Sequence, residues 1–585
     1  MIINTHAHFF NLRLLNTDRM RETLVKRLVS DGWPDYVVTL IQKVIDRLLD
    51  DDHIDEEKAL KTLVEVLKTD ARFKDVVTRA FEGVLPANVG FIFHGDTQEA
   101  TVYGLQKALD KISQKLSDKN DIGQSDFDDI IGFLLLMIKP DMELVADSYF
   151  KFTPPDHVAV ALMMDITKGG DQDGGRFEEQ TEATSQLALA YPGQILPFYA
   201  INPLRPSALE RLKKAIDLGF VGVKLYPSLG YDPFSDEMKA LYAFCAENDL
   251  PILTHCNQGG FHFTKEDIQF AAPDRWSEIL AEIPGLKICF GHFGGSENLS
   301  SAANVDSIAS WTSTIIDLMR QYPGVYADLS YHTTPMNGGS EETNYFNNLK
   351  TLLQDPIVSG RILWGTDFTL VRQRAREENY WSYFRRNLSE HEFKQISETN
   401  AQAYLGLPDQ NGTNAGENIK RYVGFLHRHK WAVKRIPSDW VKKTLITEGA
   451  EPGFIENPFG ASFNLGKRSH RATWHVLLMV LCDQTNPIWR HPPMKHAGMR
   501  LREYPRWPSE ARSESRRRLD FQSLASQINK DLTLPASDGG PGAKRKPSVS
   551  YDEALRAIEA QLRKGNNPLA DFGPVVDKIY DFQAS

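Results

Sequence analysis

The sequence predicts an α/β fold: a TIM-type (β/α)8 barrel of eight parallel strands, with a large helical insertion after strand 1 and a C-terminal extension. Short runs rich in Val, Ile and Leu recur along the chain, the later ones at intervals of roughly 30–40 residues, which fits one strand plus one helix per unit. Their continuous apolar character is typical of strands that are buried on both faces of a parallel sheet. Amphipathic segments between them predict the helices that cover such a sheet.

The eight predicted strands share this apolar pattern, and most end next to polar or glycine-rich sequence. They lie at residues 1–8, 158–166, 195–201, 221–226, 251–256, 286–292, 324–330 and 361–367. Between the later strands, residues 207–219 and 235–249 have the pattern of amphipathic helices. The first of these has a serine at its start and a glycine after its end, as helix boundaries require.

The strand spacing is interrupted once, after strand 1. Residues 14–150 read largely as helices; in 55–69, for example, Leu60, Leu63, Val64 and Leu67 fall on one face. Because the insertion follows strand 1, it must emerge at the carboxyl ends of the strands, where barrels carry their active sites. It is a lid over the site, a dimerisation element or a decoration. The predicted barrel therefore comprises residues 1–13 and 151–410.

The last region, residues 411–585, is a basic C-terminal region of unknown role. It carries 28 Lys and Arg against 18 Asp and Glu, although the whole chain has a net charge of −10. Such a basic surface docks on the acidic barrel or meets an acidic partner.

The amino-acid composition indicates the general class of protein. The chain is 41% apolar and 25% charged, as ordinary globular proteins are. No run approaches the roughly 18 apolar residues of a membrane span, so we expect no membrane association. The four cysteines do not make a disulfide framework, and a strand already begins at Ile2, which argues against a signal peptide. A cytoplasmic protein is therefore the expectation.

Five chemically reactive side chains stand at the ends of predicted strands. His6 and His8 are separated by one residue, which places both imidazoles on the same face of a strand. His255, His292 and Asp367 end three later strands. In a barrel these ends meet on one face, and imidazole and carboxylate suit a divalent transition metal. Each histidine alone would be an ordinary strand-end residue, but the equivalent positions favour a shared site.

These motifs resemble the amidohydrolase superfamily, and most of all the amidohydrolase-2 and aminocarboxymuconate-semialdehyde decarboxylase-like branch. Supporting stretches lie at 219–233, 275–295 and 398–407. The resemblance implies four metal ligands: His6, His8, His255 and Asp367. It also implies that His292 either binds a second metal or acts on the substrate.

Lys224, at the end of strand 4, has two interpretations. In relatives with two metals a carboxylated lysine at this place bridges them, and in relatives with one metal a lysine here binds substrate or pairs with a carboxylate. We favour one ion, because the match is to the mostly mononuclear branch. Zinc is the preferred ion, although three imidazoles and a carboxylate also accept manganese, iron or cobalt.

The predicted function is metal-dependent hydrolysis of a small amide, lactone or similar bond by activated water, with Asp367, His292 and Lys224 as catalytic residues. The alternative is non-oxidative decarboxylation of an unsaturated or aromatic acid at the same site. A third hypothesis is a binding or assembly protein that uses its basic tail. The expected partner is a small-molecule substrate; nucleic acid is disfavoured, and a homo-oligomer stays open. Weaker substrate-contact candidates are Asn202, Tyr226, Asp328 and His332, whereas Cys256 should point away.

Overall fold

The structure is a computed structural model of the 585-residue chain. It describes residues 1–11, 13–14, 38–39, 42–43, 46–47, 62, 65–66, 132–133, 136–137, 139, 141–151, 153–154, 156–166, 175–308, 311–429, 433, 435 and 437–450. Most of the predicted insertion at 14–150, and all of 451–585, lie outside these residues. The isolated described positions between 38 and 137 are helical.

Eight parallel strands form one sheet in the order β1 to β8, which confirms the predicted barrel. The strands are β1 (Ile2–Ala7), β2 (His157–Leu162), β3 (Ile195–Ile201), β4 (Gly222–Leu225), β5 (Ile252–His255), β6 (Ile288–Gly291), β7 (Val325–Asp328) and β8 (Ile362–Leu363). Each predicted strand is present. The second is shorter than expected, because residues 163–166 leave the sheet after Leu162.

The ring closes between β1 and the chain that follows β8. The Thr5 amide donates to the Trp364 carbonyl at 2.9 Å, and Ala7 pairs with Phe368 in a parallel bridge. Because β8 has only two residues, closure depends on these contacts beyond its end.

Helices between and after the strands cover the sheet. They are α1 (Met142–Phe150), α2 (Arg176–Ala190), α3 (Ala208–Asp217), α4 (Asp236–Glu247), α5 (Trp276–Glu282), α6 (Ser296–Ser301), α7 (Trp311–Gln321), α8 (Gly339–Leu352), α9 (Glu377–Asn387), α10 (Glu390–Lys394), α11 (Asn400–Leu405), α12 (Glu417–Arg428) and α13 (Asp439–Thr447). Helices α3 and α4 confirm the two amphipathic predictions. The serine at the start of α3, Ser207, has a φ of 62° and makes no side-chain capping bond, because its backbone is left-handed there.

The last three helices lie at the amino ends of the strands. The Tyr422 hydroxyl donates to the Ile195 carbonyl at 2.8 Å, and the Tyr404 hydroxyl donates to the Ile252 carbonyl at 2.8 Å. Both carbonyls begin their strands. Helices α11 to α13 therefore close the end of the barrel opposite the strand carboxyl ends, the end whose residues usually serve stability.

The core consists of two apolar clusters. One joins β3 to β8 with the helices between them, and the other joins β1 to β3 and single residues of β5 to β8 with α1, α2 and α11 to α13. No helix among the described residues is both long and apolar enough to cross a membrane.

Candidate metal and catalytic site

The structure brings the five predicted site residues to one end of the barrel. His255 is the last residue of β5, His292 directly follows β6, and Asp367 lies four residues beyond β8. All five side chains are buried, with at most 5% of any of them exposed. The strand-end positions read from the sequence thus do converge in space.

His6, His8 and Asp367 form the tightest group. The Nε2 atoms of His6 and His8 lie 3.6 and 3.5 Å from Oδ1 of Asp367. Their ligand atoms lie within 4.8 Å of one another, close enough to hold one ion. The alternate-residue spacing of His6 and His8 does place both imidazoles toward the same point.

Asp328 organises the His6 imidazole from the other side. Its Oδ2 lies 2.9 Å from His6 Nδ1, and its Oδ1 accepts the backbone N–H groups of His292 and Ser330, each at 3.0 Å. The Ser330 hydroxyl also donates to Oδ1. Burial by itself would raise the pKa of Asp328, but its charge interaction and hydrogen bond with His6 outweigh burial and lower that pKa far below its usual range. Asp328 is therefore a carboxylate anion at neutral pH.

A carboxylate at Asp328 determines the protonation of the neighbouring rings. His6 must carry its proton on Nδ1 to donate to Asp328, which leaves the Nε2 lone pair facing Asp367. Because the Ser330 proton goes to Asp328, His292 donates its own Nδ1 proton to the Ser330 carbonyl, 3.1 Å away. The Nε2 atom of His292 lies 3.1 Å from Nδ1 of His255, so the two rings share one hydrogen bond.

His8 also carries its proton on Nδ1, because of a separate hydrogen bond. Its Nδ1 donates to the Leu162 carbonyl at the end of β2, at 2.9 Å. Burial is the largest cause that lowers the pKa of His8, and the nearby His6 and Lys224 add to it. Burial is likewise the largest cause that lowers the pKa values of His255 and His292; His292 and Lys224 add to it for His255, and His6 adds to it for His292. Neutral imidazoles with a lone pair on Nε2 are the form that binds a metal ion.

His255 stands apart from the group of three in one respect. Its Nε2 faces the carbonyl of Gly259, 3.1 Å away, in the loop that follows β5. Its ring stacks on Tyr226 with 4.1 Å between centroids, and the Tyr226 hydroxyl accepts the Phe261 N–H of the same loop. Tyr226 and this loop therefore set the orientation of His255, and its role as a ligand stays a prediction.

The backbone near these residues is strained. His292 and Asp367 have φ values of 65° and 62°, and Phe293 has a φ of 48°. Left-handed backbone costs a residue other than glycine about 1–3 kcal/mol and concentrates at functional sites. Here it turns the chain sharply just after β6 and β8, so that the two side chains point inward.

Lys224 lies in β4 with its ammonium beside the same site. It is 1% exposed, and its Nζ has no hydrogen-bond partner among the described residues. Burial lowers the pKa of Lys224 to about 8, and the Asp328 and Asp367 carboxylates oppose that shift. A buried cation without an acceptor is costly, so this position calls for an anion.

The weaker candidates for substrate contact lie in different surroundings. Asp328 belongs to the site, whereas His332 is enclosed: its ring nitrogens lie 2.6 Å from the Tyr345 hydroxyl and 2.8 Å from the His292 carbonyl. Asn202 accepts the Leu204 N–H in its own loop, and Cys256 packs in the apolar core. Sequence reasoning missed Ser330, although it lies two residues after Asp328 and thus on the same side of the chain.

No curated protein matches this sequence. Residues 140–407 match the family model described as Amidohydrolase, of the amidohydrolase-2 type. Over these residues the barrel is similar to amidohydrolase-2 domains. The match confirms the resemblance read from the sequence, and it begins after β1, which carries His6 and His8. Amidohydrolase-2 proteins are metal-dependent, and the described residues hold two His/Asp groups suited to a metal: His6 with His8 and Asp367, and His6 with His292 and Asp328.

Several solved structures are similar to the amidohydrolase barrel. An uncharacterised TIM-barrel protein from Bordetella bronchiseptica is 17% identical and covers 47% of this chain and 88% of its own, with a TM-score of 0.34. A probable 2-pyrone-4,6-dicarboxylic acid hydrolase from Acinetobacter baumannii is 14% identical, covering 45% and 87%, with a TM-score of 0.32. A 4-oxalomesaconate hydratase from Rhodopseudomonas palustris is 12% identical, covering 69% and 95%, with a TM-score of 0.34.

Proposed function

We propose that this protein is a metal-dependent hydrolase that acts on a small amide, lactone or related bond. The observation that supports this most is the set of hydrogen bonds that leaves the Nε2 lone pairs of His6 and His8 directed at Asp367. Neutral imidazoles and a carboxylate are a donor set that fits zinc. We propose His6, His8, His255 and Asp367 as the residues that would hold one ion. Such an ion polarises a carbonyl group and lowers the pKa of a water molecule.

The protein's own groups would bind the substrate and move its protons. Asp367 is the carboxylate nearest to the two imidazoles and is suited to accept a proton from the attacking water. Lys224 would bind an anionic oxygen of the substrate. Both ring nitrogens of His292 already contact His255 and Ser330, so we propose that His292 acts through His255 by holding its ring in place.

The charge of the site indicates the kind of substrate. Burial lowers the pKa values of His8, His255 and His292 and favours their neutral forms. A divalent ion and the Lys224 ammonium would then outweigh the Asp328 and Asp367 carboxylates by one positive charge. A buried site with excess positive charge favours a bound anion. We therefore propose a substrate that carries a carboxylate beside the bond to be broken.

Metal analysis of the purified full chain, followed by activity assays, tests this proposal. We expect one divalent ion per chain, its loss in the His6→Ala/His8→Ala double variant, and its retention in His391→Ala, which changes an exposed histidine. Two ions per chain, with a lysine heavier by one carbon dioxide, would instead favour Lys224 as a carboxylated bridge. Full metal content in the double variant would contradict the site.

A panel of lactones, amides, cyclic imides and unsaturated or aromatic acids then identifies the reaction. We expect hydrolysis that stops when a chelator removes the metal, with one oxygen of labelled water in the product. Release of carbon dioxide without incorporation of that oxygen would rule out the hydrolase and establish the decarboxylase.

A further inference from the structure

We propose that Asn4 is the positioning residue that sets the spacing between the two chain segments carrying His6 and Asp367. The inference rests on the proposed function, because those two side chains are metal ligands there. Asn4 is fully buried in β1, two residues before His6. Its side chain contacts the backbone of both segments.

The amide oxygen of Asn4 accepts two backbone protons. It lies 3.2 Å from the N–H of His6 and 3.1 Å from the N–H of Thr366, the residue before Asp367. One atom therefore holds the backbone next to each predicted ligand.

The amide nitrogen of Asn4 fixes the orientation of the group. It donates to the Thr366 hydroxyl and to the Tyr149 hydroxyl, each at 2.8 Å. Tyr149 in turn contacts His157 Nε2 at 2.5 Å, which gives the tyrosine proton an acceptor. A flipped amide would place its nitrogen against two N–H donors, so a single orientation satisfies all four contacts.

The pairing of the strands is irregular on both sides of Asn4. The register between β1 and β2 shifts between Asn4 and Ala7, so the strand that carries His6 is irregular just before the site. On the other side, β8 ends at Leu363, and the chain after it forms an isolated parallel bridge to β1 between Phe368 and Ala7. In this interval the Asn4 side chain adds to backbone hydrogen bonds that join the two segments, such as the one from the Thr366 N–H to the His6 carbonyl at 3.3 Å. It acts together with the Asp367 N–H, which donates to the His6 carbonyl at 2.8 Å.

Metal affinity of the full-length chain tests the proposal without any substrate. The zinc dissociation constant is measured by competition with a chelating indicator for the parent, Asn4→Leu, Asn4→Asp and Asn348→Leu. The last is a matched control, because Asn348 is also buried and donates to two carbonyls, those of Leu299 and Ala302, outside the site. The visible spectrum of each cobalt form reports the geometry of the ligands.

We expect Asn4→Leu to weaken zinc binding by about 10–100-fold and to alter the cobalt spectrum, since changes to groups that orient ligands have effects of this size. Asn4→Asp keeps the acceptor oxygen and should therefore lose less zinc affinity than Asn4→Leu. Asn348→Leu should lower the melting temperature of the metal-free protein and leave the affinity and spectrum as in the parent.

Parent-like affinity in folded Asn4→Leu would overturn the inference and leave the proposed function intact. If Asn4→Leu does not fold, Asn4→Asp decides: a loss of more than about threefold supports the inference, and an unchanged affinity and spectrum overturn it. Equal losses in Asn4→Leu and Asn348→Leu would also overturn it, because the effect would then be one of stability. A parent that binds no zinc, cobalt or manganese would overturn both proposals.

Discussion

The Asp328 carboxylate accepts the Nδ1 proton of His6 across 2.9 Å, and this contact directs the opposite ring nitrogen toward Asp367. The same carboxylate accepts the N–H of His292, and thereby links the ends of β1, β6 and β7. Carboxylates that hold a histidine in this way fix its tautomer and raise its basicity toward a metal.

Replacing Asp328 with Asn should weaken metal binding by about 10–100-fold. An amide can offer His6 an acceptor only by turning its NH2 group toward the N–H groups of His292 and Ser330, and the opposite orientation faces His6 with a donor. The metal dissociation constant checks this. Asp317→Asn, at a largely exposed carboxylate in α7, is the control and should bind metal as the parent does.

The substitution Gly365→Ala should displace His6 without removing any donor. A Cβ atom at residue 365 would lie 2.8 Å from the His6 Cβ and 3.2 Å from the Ser330 Cβ. Crowding of this kind costs about 1–3 kcal/mol, so we expect a lower melting temperature and weaker metal binding. A Cβ at Gly360 would meet no atom within 4 Å, so Gly360→Ala should change neither quantity. Equal melting temperatures and metal affinities in the two variants would show that His6 tolerates the added methyl group.

Buried histidines outside the predicted ligand set should make the protein sensitive to acid. Burial lowers the pKa of His157 to about 3, whereas in the unfolded chain it is close to 6.5. The unfolded state therefore binds more protons than the folded state below pH 6.5. For this group the free energy of unfolding decreases by about 1.4 kcal/mol for each unit by which the pH is lowered. Burial raises the pKa of Glu377 to about 8, so its contribution to the unfolding free energy has the opposite sign and offsets that of one histidine between pH 4.5 and 6.5.

The His157→Gln variant isolates this contribution. Between pH 7 and pH 5, the unfolding free energy of the parent should fall by about 2 kcal/mol more than that of the variant. Denaturant unfolding of the metal-free protein at the two pH values measures the difference. His391→Gln changes an exposed position, and its unfolding free energy should depend on pH as that of the parent does. The same pH dependence in His157→Gln as in the parent would show that His157 does not cause the effect.

Arg435 should anchor the chain beyond α12 to the barrel. Its guanidinium lies 3.7 Å from the centroid of the Tyr191 ring, and it donates to Asp147 at 2.9 Å and to the Ala190 carbonyl at 2.8 Å. We expect Arg435→Met to cost about 1.5–3 kcal/mol, because hydrogen bonds of a charged group are lost. Thermal unfolding measures this. Arg428→Met, at an exposed position, should stay within about 0.5 kcal/mol of the parent.

The strands and the candidate ligands could be predicted because each depends on a local sequence pattern. Val-rich and Ile-rich runs bounded by polar residues determine strands whatever their neighbours are, and the His6–His8 spacing implies a shared face in any strand. The barrel follows from the regular order of such units, and the position of a residue at a strand end follows from the barrel.

Other features depend on residues that are far apart in sequence. The Asp328–His6 pair joins residues 322 positions apart, and Asn4 contacts Thr366 at 362 positions. Nothing near Asn4 distinguishes it from an ordinary strand asparagine. Its role appears only where the irregular end of β1 meets the two-residue β8, which is a matter of register and not of composition.

By itself the sequence determined the eight strands, the closure of the barrel and the convergence of His6, His8, His255, His292 and Asp367, because the period of an apolar pattern and the geometry of a parallel barrel suffice for these. The tertiary structure decided which nitrogen of the His6 and His8 rings carries the proton, that Lys224 lacks a hydrogen-bond partner among the described residues, and that α11 to α13 lie opposite the site. Hydrogen-bond partners are selected by three-dimensional proximity, and a protonation state depends on those partners.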